Sequence, residues 1–317
     1  MSQAVNATIF IHRPEVTQFI DDIAEQHQLD KQQVTQAFSQ IESSQEIIDR
    51  MSKQYEALPW HKYRASLLTK KKITGGVEFW HTYAPVLTQA EEKYGVPAEL
   101  IVAIIGIESM YGASCGKYPV LQALATLAFD YPARAPFFKN ELKEYLLLVN
   151  EQKLDPLALK GSYAGAIGIP QFIASSYRKF AVDFDNSGQI DLVNSMPQVI
   201  GSVANYFKEH GWQQDNHVIT KAITTGDKHK NLPIAARNNP IPAVPLATLQ
   251  EHDVTSAIEL ADPNTHIAWL EFETATGKEY WLGLNNFYVI TRYNNSSNYA
   301  LAVHELGNAI AKQYNPR

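Results

Sequence analysis

Glu108 is the residue of this chain best placed to hold a proton where a proton could be used. It closes the run Ala98-Glu99-Leu100-Ile101-Val102-Ala103-Ile104-Ile105-Gly106-Ile107, which is apolar on nearly every side of a helix and therefore reads as buried. A carboxyl at the end of such a helix is partly desolvated. Desolvation disfavours its ionised form and raises its pKa, which a general acid needs in order to stay protonated near neutral pH. A lone glutamate at a helix end is more often a solvated surface residue, so the weight falls on its company. Gly106 and Gly112 flank it and allow close backbone approach and helix termination. Further on, Gly161-Ser162-Tyr163-Ala164-Gly165-Ala166-Ile167-Gly168-Ile169-Pro170-Gln171-Phe172-Ile173 is a small-residue turn running into a polar and aromatic segment. It serves either as a tight packing turn or as backbone that passes close to a ligand. A third cluster, Asp183-Phe184-Asp185-Asn186-Ser187-Gly188-Gln189-Ile190-Asp191-Leu192-Val193-Asn194, has oxygen donors at its first, third, fifth and ninth positions and glycine at its sixth. That is the pattern of a calcium loop through Gly188, with Asp183, Asp185, Ser187 and Gln189 as candidate metal ligands. The twelfth position, where a bidentate glutamate is expected, holds Asn194, so a cation loop and an empty, turn-forming loop both remain open.

These groups need elements to position them. From Arg13 to about Gln89 apolar residues recur at helical spacing, as in Val16, Phe19, Ile20 and Ile23 and again in Val34, Phe38 and Ile41, which predicts a helical N-terminal region. Pro97 opens the Glu108 helix at a first-turn position. Helical patterns return at Val120 to Leu127, Phe137 to Val149 and Val199 to His210. After Trp212 the character changes. Pro233, Pro240, Pro242 and Pro245 precede short β-prone runs, Ile267 to Phe272 and Glu279 to Leu282, bracketing Thr276-Gly277; this predicts a small β-rich insert. Asn298 to Tyr314 is helical again. The expected fold class is mainly α with a minor β part (α+β), divided as 1–80 N-terminal helical region, 81–217 catalytic core, 218–283 β-rich insert and 284–317 return to the helical body.

Composition narrows the partners. The 317 residues are 45% hydrophobic and 19% charged, values of an ordinary globular protein large enough for more than one compact unit. The net charge is −6 and the longest basic run is Lys70-Lys71-Lys72, which on a helix reads as a solvated face; nucleic acid is excluded as an expected partner. Cys115 is the single cysteine, so neither an internal disulfide nor a cysteine-based zinc site is available. The first residues, Met1 to Thr8, lack the basic start and apolar run of a signal peptide.

Taken in order, Ile107-Glu108-Ser109-Met110-Tyr111-Gly112, Phe129-Asp130-Tyr131-Pro132-Ala133-Arg134, the Gly161 to Gly168 block and Ile290-Thr291-Arg292-Tyr293-Asn294 resemble the membrane-bound lytic transglycosylase B family. The resemblance runs from about residue 75 to the end. It implies a lysozyme-like helical core with an N-terminal helical domain and a small inserted β domain. Glu108 matches that family's catalytic acid. Ser162, Gln171, Tyr131, Tyr206, Tyr293, Asn294 and Tyr299 match groove positions that orient the acid or hold saccharide. Ile167 stands where the family more often has Met, a change that conserves volume.

Most glycosidases need two carboxyl groups across the scissile bond, and no second one declares itself here; Asp130, the nearest candidate, is equally a capping or structural residue. The chemistry implied by the resemblance needs one. Glu108 protonates the glycosidic oxygen between N-acetylmuramic acid and N-acetylglucosamine, the substrate's N-acetyl group stabilises the cation, and Glu108 then takes the proton of the C6 hydroxyl as a 1,6-anhydro ring closes. No cofactor is required; a structural calcium ion is the one candidate, yet the more distal acid that closes the family's loop is missing, since Asn194, Pro197 and Gln198 offer none. The expected partners are peptidoglycan glycan strands, with other cell-wall enzymes as candidates. The expected location is the periplasm, with outer-membrane attachment of a full-length precursor as the lipoprotein variant. Two alternatives stand beside this reading: a muramidase or chitinase-type hydrolase that uses water as acceptor, and a noncatalytic glycan-binding scaffold. A buried acid in the company of Ser162 and Tyr293 argues against the second.

Overall fold

The computed structural model describes residues 9–52, 58–260, 262 and 264–315; the Met1 to Thr8 run discussed above, and with it part of the expected 1–80 region, lies outside the described residues. In chain order the helices are α1 (Pro14–His27), α2 (Lys31–Phe38), α3 (Gln45–Ser52), α4 (Trp60–Leu67), α5 (Lys70–Tyr94), α6 (Ala98–Ser109), α7 (Val120–Asp130), α8 (Ala135–Glu151), α9 (Ala174–Phe180), α10 (Met196–Glu209), α11 (Asn285–Ile290) and α12 (Ser297–Tyr314). The strands are β1 (Tyr118–Pro119), β2 (Lys160–Gly161), β3 (Ile219–Thr224), β4 (Val244–Pro245), β5 (Val254–Ser256), β6 (His266–Glu273) and β7 (Lys278–Gly283). Two compact units result, the described residues of Met1–Gln54 and Gly112–Ser202 in one and those of Tyr55–Tyr111 and Val203–Arg317 in the other. Among the described residues no helix is long and apolar enough to cross a membrane.

The first unit is built from α1, α2, α3, α7, α8 and α9 with the short antiparallel pair β1–β2, in which Tyr118 faces Gly161. Its local signals are ordinary ones. Pro14 opens α1 in the first turn, and the Asp30 side chain caps α2 by accepting from the backbone N–H of Gln32 and Gln33 at 2.9 and 3.1 Å. Such a cap satisfies N–H groups that the helix itself leaves without partners. Most apolar residues of α7 and α8, among them Leu121, Leu124, Phe138, Leu142 and Tyr145, are buried, while Phe129 is partly exposed and Phe137 faces solvent.

The second unit packs α5, α6 and α12 side by side and carries the sheet. Thr69 caps α5, which kinks at Tyr83 (φ −113°, ψ 19°) ahead of Pro85 and ends at Gly95 in the left-handed region (φ 68°). Pro85 cannot donate the helical hydrogen bond and crowds the preceding turn, which accounts for the kink. The five-stranded antiparallel sheet has the order β4-β6-β7-β3-β5 and spans residues 219–283. The two β-prone runs seen in the sequence are its central hairpin, with Trp269 opposite Leu282 and Leu270 opposite Trp281. Its turn closes at Gly277, whose carbonyl accepts from Thr274 N–H at 2.8 Å. One face buries Leu232, Val244, Leu249, Val254, Ile267, Trp269, Leu282 and Leu284 as a core of its own.

Candidate active site

Helix α6 carries the candidate acid. Ile101, Val102, Ala103, Ile104 and Ile105 have no solvent exposure, so the helix is enclosed on every side, as its composition predicts. Pro97 is its N-cap, one residue ahead of the first turn. The C-terminus differs from expectation: the left-handed positions that stop the helix are taken by Met110 (φ 50°) and Tyr111 (φ 60°), not by a glycine. Non-glycine residues there are uncommon and persist only where their surroundings hold them. What holds Tyr111 is visible. Its ring lies over Gly75, Gly76 and Gly106, and its hydroxyl donates to the carbonyl of Lys72 at 2.6 Å. A Cβ on Gly106 would stand 2.4 Å from that hydroxyl oxygen, so glycine at 106 makes room for the brace that fixes the end of α6.

Glu108 projects from the last turn of this helix. It is partly exposed as a residue, yet its carboxyl is closely enclosed by protein. Burial lifts its pKa from 4.5 to about 7, opposed by a hydrogen bond from Tyr299 and by the charge of Lys72. The Tyr299 hydroxyl donates to Glu108 Oε1 at 2.5 Å. Tyr299 owes its place to the start of α12, where Ser296 is the N-cap and accepts from Tyr299 N–H. Lys72, 8% exposed, donates from Nζ to the carbonyl of Gly106 at 3.2 Å. Burial lowers its pKa while Glu108 pulls it back up. Burial thus drives both members of this pair toward their neutral forms, and their attraction only moderates it. Among the groups that shift Glu108 there is no second carboxylate.

Two tyrosines adjoin the acid, and a third packs against one of them. Tyr293 and Tyr299 are closely enclosed, and burial, with the charge of Glu108 next in order, holds both hydroxyls protonated well above their ordinary range. Tyr293 stacks on Phe207 at 5.6 Å between ring centres and leans on Tyr206 at 4.8 Å. Tyr206, 6% exposed, donates its hydroxyl to the carbonyl of Arg292 at 2.5 Å and stacks on His210 at 4.0 Å. The 290–294 motif is thereby pinned from α10, and Asn294 sits partly exposed in the turn that follows. Glu108, Tyr206, Tyr293, Asn294 and Tyr299 all belong to the second unit.

Tyr131, Ser162 and Gln171 belong to the first unit. Ser162 Oγ accepts from the N–H groups of Ala164 and Ala166 at 3.2 and 3.0 Å and so holds the glycine-rich turn. Gln171 is in the left-handed region (φ 52°), and its Nε2 donates to the carbonyls of Gly168 and Cys115 at 2.8 and 3.1 Å. Tyr131 is partly exposed just past the end of α7. Asp130 has a structural occupation: it accepts from Arg13 at 2.8 Å and from Ser43 at 2.6 Å. Asp183, Asp185, Ser187 and Gln189 form an exposed loop ahead of α10. Among the described residues no three of His, Cys, Asp and Glu converge as metal ligands.

One expectation is corrected and one role was missed with it. Lys70 and Lys71 are exposed, as a solvated face requires, but Lys72 is buried. The signal was available, because Lys72, Gly76 and Phe79 share one face of α5 at helical spacing and all three are buried. Reading the three lysines as one charge cluster hid it.

The molecule thus sets an enclosed glutamate that keeps its proton to about pH 7 at the end of a buried helix, in a mainly helical fold with a small antiparallel sheet. The chain belongs to the transglycosylase SLT domain family, which matches residues 12–308. The membrane-bound lytic murein transglycosylase B of Escherichia coli (strain K12) is 39% identical over 312 residues, covering 95% of this chain and 84% of the relative. The lytic transglycosylase SltB1 of Pseudomonas aeruginosa superposes with a TM-score of 0.91 at 40% identity, over 96% of this chain and 100% of that one. An E. coli lytic transglycosylase solved in complex with calcium superposes with a TM-score of 0.88 at 38% identity, over 99% of both chains. The mainly α, lysozyme-like architecture expected from the sequence is the one found.

Proposed function

We propose that the chain cleaves the β-1,4 bond between N-acetylmuramic acid and N-acetylglucosamine in peptidoglycan and leaves 1,6-anhydromuramoyl ends, with Glu108 as its single acid and base. One observation carries this reading: Glu108 is enclosed, hydrogen-bonded by Tyr299 and holds its proton to about pH 7, and among the described residues no second carboxylate shifts it. Protonated, it delivers a proton to the glycosidic oxygen as the C1–O bond breaks. The neighbouring N-acetyl group of the substrate stabilises the cation at C1. As carboxylate, Glu108 removes the proton of the C6 hydroxyl while that oxygen bonds to C1. The proton gained at the second step equals the one given at the first, so the site returns to its starting state without water and without a cofactor. Tyr299 orients the carboxyl, Tyr293 and Tyr206 support it from behind, and Ser162, Gln171, Tyr131 and Asn294 are assigned to the saccharide. Calcium has no part in these steps. Residues 81–217 are read as the core that performs them, with 1–80 and 284–317 as helical support and 218–283 as the insert. The substrate places the protein in the periplasm, with outer-membrane attachment of a precursor and contact with other cell-wall enzymes as the fuller reading. Mass analysis of products from purified peptidoglycan tests the reaction: anhydromuropeptides, lighter by one water than hydrolytic products, are expected, and a reducing muramoyl end marks a hydrolase instead.

The Tyr299 hydroxyl offers a finer test. It donates to the charged form of Glu108 and so lowers its pKa. Tyr299→Phe should raise that pKa, moving the alkaline limb of the rate–pH profile to higher pH while the rate itself falls. An alkaline limb that stays in place in a folded variant disconnects Tyr299 from the acid.

A further inference from the structure

The loop from Asp183 to Asn194 has the spacing of a calcium loop, but its centre is filled by the chain itself. A calcium loop turns side-chain oxygens from its first, third and fifth positions and a backbone carbonyl from its seventh toward the ion, with help from the ninth and twelfth. Here the atom facing those groups is the side-chain nitrogen of Gln198, from the first turn of α10. Gln198 Nε2 lies 2.7 Å from Asp185 Oδ1, 2.8 Å from Ser187 Oγ, 2.7 Å from the carbonyl of Gln189 and 3.3 Å from Asp183 Oδ1. These are the third, fifth, seventh and first positions. Gln198 is 1% exposed. Its orientation is set from the other end, because Oε1 accepts from Asp191 N–H at 2.5 Å. The reverse orientation would set an oxygen against two carboxylates and a carbonyl, with only the Ser187 hydroxyl able to donate to it, and would turn the amide nitrogen toward the Asp191 N–H.

The remaining positions are committed as well. Asp191, the ninth, accepts from the N–H groups of Val193 and Asn194 at 2.9 Å each and from Asn194 Nδ2 at 2.9 Å, which also employs the twelfth. Negative charge on the first and third positions is met by backbone and hydroxyl donors: Ser187 N–H and Gly188 N–H to Asp183 at 2.9 and 2.8 Å, and Ser195 Oγ to Asp185 at 3.0 Å. Calcium needs six to eight oxygens. A donor nitrogen at the centre and a turned ninth carboxylate do not fit it.

We propose that Gln198 stands in for the cation, closing the loop with its own amide and tying it to α10, so that this chain keeps the loop folded without calcium. The inference is independent of the role given to Glu108. A ligand that binds only the folded state raises the melting temperature by mass action, so the whole protein is melted in millimolar calcium, in millimolar magnesium and in EDTA, and titrated calorimetrically with calcium chloride. The wild type should melt at one temperature in all three and show no saturable heat. Gln198→Glu replaces the central donor by a carboxylate; it should melt several degrees below wild type in EDTA and recover in calcium more than in magnesium. Gln198→Met, which removes the donors without adding charge, should also melt below wild type in EDTA. A calcium-specific rise in the wild-type melting temperature, or either variant melting like wild type in EDTA, overturns the proposal.

Discussion

Glu108→Gln should leave a folded protein that binds glycan strands and barely cleaves them. Glutamine keeps the shape and can still accept the 2.5 Å bond from Tyr299, but it can neither give the proton nor take one back. Losing general acid–base assistance ordinarily costs about 10²–10⁴-fold in rate; in the proposed mechanism one group makes both transfers, so the upper end is expected. Turnover of purified peptidoglycan, followed by release of muropeptides, reads the effect; near-normal release from the Gln variant removes Glu108 as catalyst. The same variant carries a stability signature. The folded-state pKa of Glu108, about 7, lies above its ordinary value of 4.5, so the folded protein holds this proton more tightly than the unfolded chain. The stability linked to it is therefore fully present below about pH 4.5 and is lost as pH rises through 7. Glutamine does not ionise. The variant should accordingly match wild type at acid pH and gain on it above pH 7, by up to about 3 kcal/mol once the difference in pKa is complete. Denaturant melts of both proteins across that range decide the matter; parallel curves would mean that the carboxyl is solvated.

Gly106→Ala is expected to damage both fold and turnover, although alanine is the better helix former by about 1 kcal/mol. The added Cβ would stand 2.4 Å from Tyr111 Oη and 2.6 Å from its Cζ, while Gly75 and Gly76 close the other side of the ring. Tyr111 must leave its slot, giving up its bond to Lys72, and it follows Glu108 by three residues in a turn held against its preferences. Overpacking and the lost hydrogen bond together cost about 2–4 kcal/mol, which outweighs the helix propensity. A melting temperature at or above that of wild type, with unchanged turnover, would show that Tyr111 does not brace this end of α6.

What could be read from the residues beforehand follows their physical range. The burial of α6 was legible because its apolar run leaves no polar face, and the β6–β7 hairpin because Ile267 to Phe272 and Glu279 to Leu282 bracket a glycine turn. Glu108 drew attention through its place at the end of that run, and Tyr293 and Tyr299 through the family resemblance, not through any spacing of their own. Their convergence on Glu108 depends on α12 folding back against α6, a contact between distant segments. Lys72 was passed over because a charge run read as a unit hid the one member that faces inward. Gln198 was legible only as a position lacking the closing acid, and its donor role was hidden for a related reason: the pattern of a cation loop describes ligands and says nothing of an amide that donates to them from the next helix.

The complete enclosure of the middle of α6 also bears on how this protein can change. A helix with one wet face can roll or slide a little when a neighbour mutates, and its outward residues drift freely. Residues 101–105 have no outward face, so any change of volume there is passed to α5, α12 or the turn at Met110 and Tyr111, and from that turn to the carboxyl. Adaptation to different glycan strands should therefore be written in loops and in the sheet region, while the helix that carries Glu108 stays nearly constant. In a deep mutational scan, the tolerance of 101–105 for activity and for abundance should coincide, since a helix packed on all sides offers no substitution that disturbs one and spares the other.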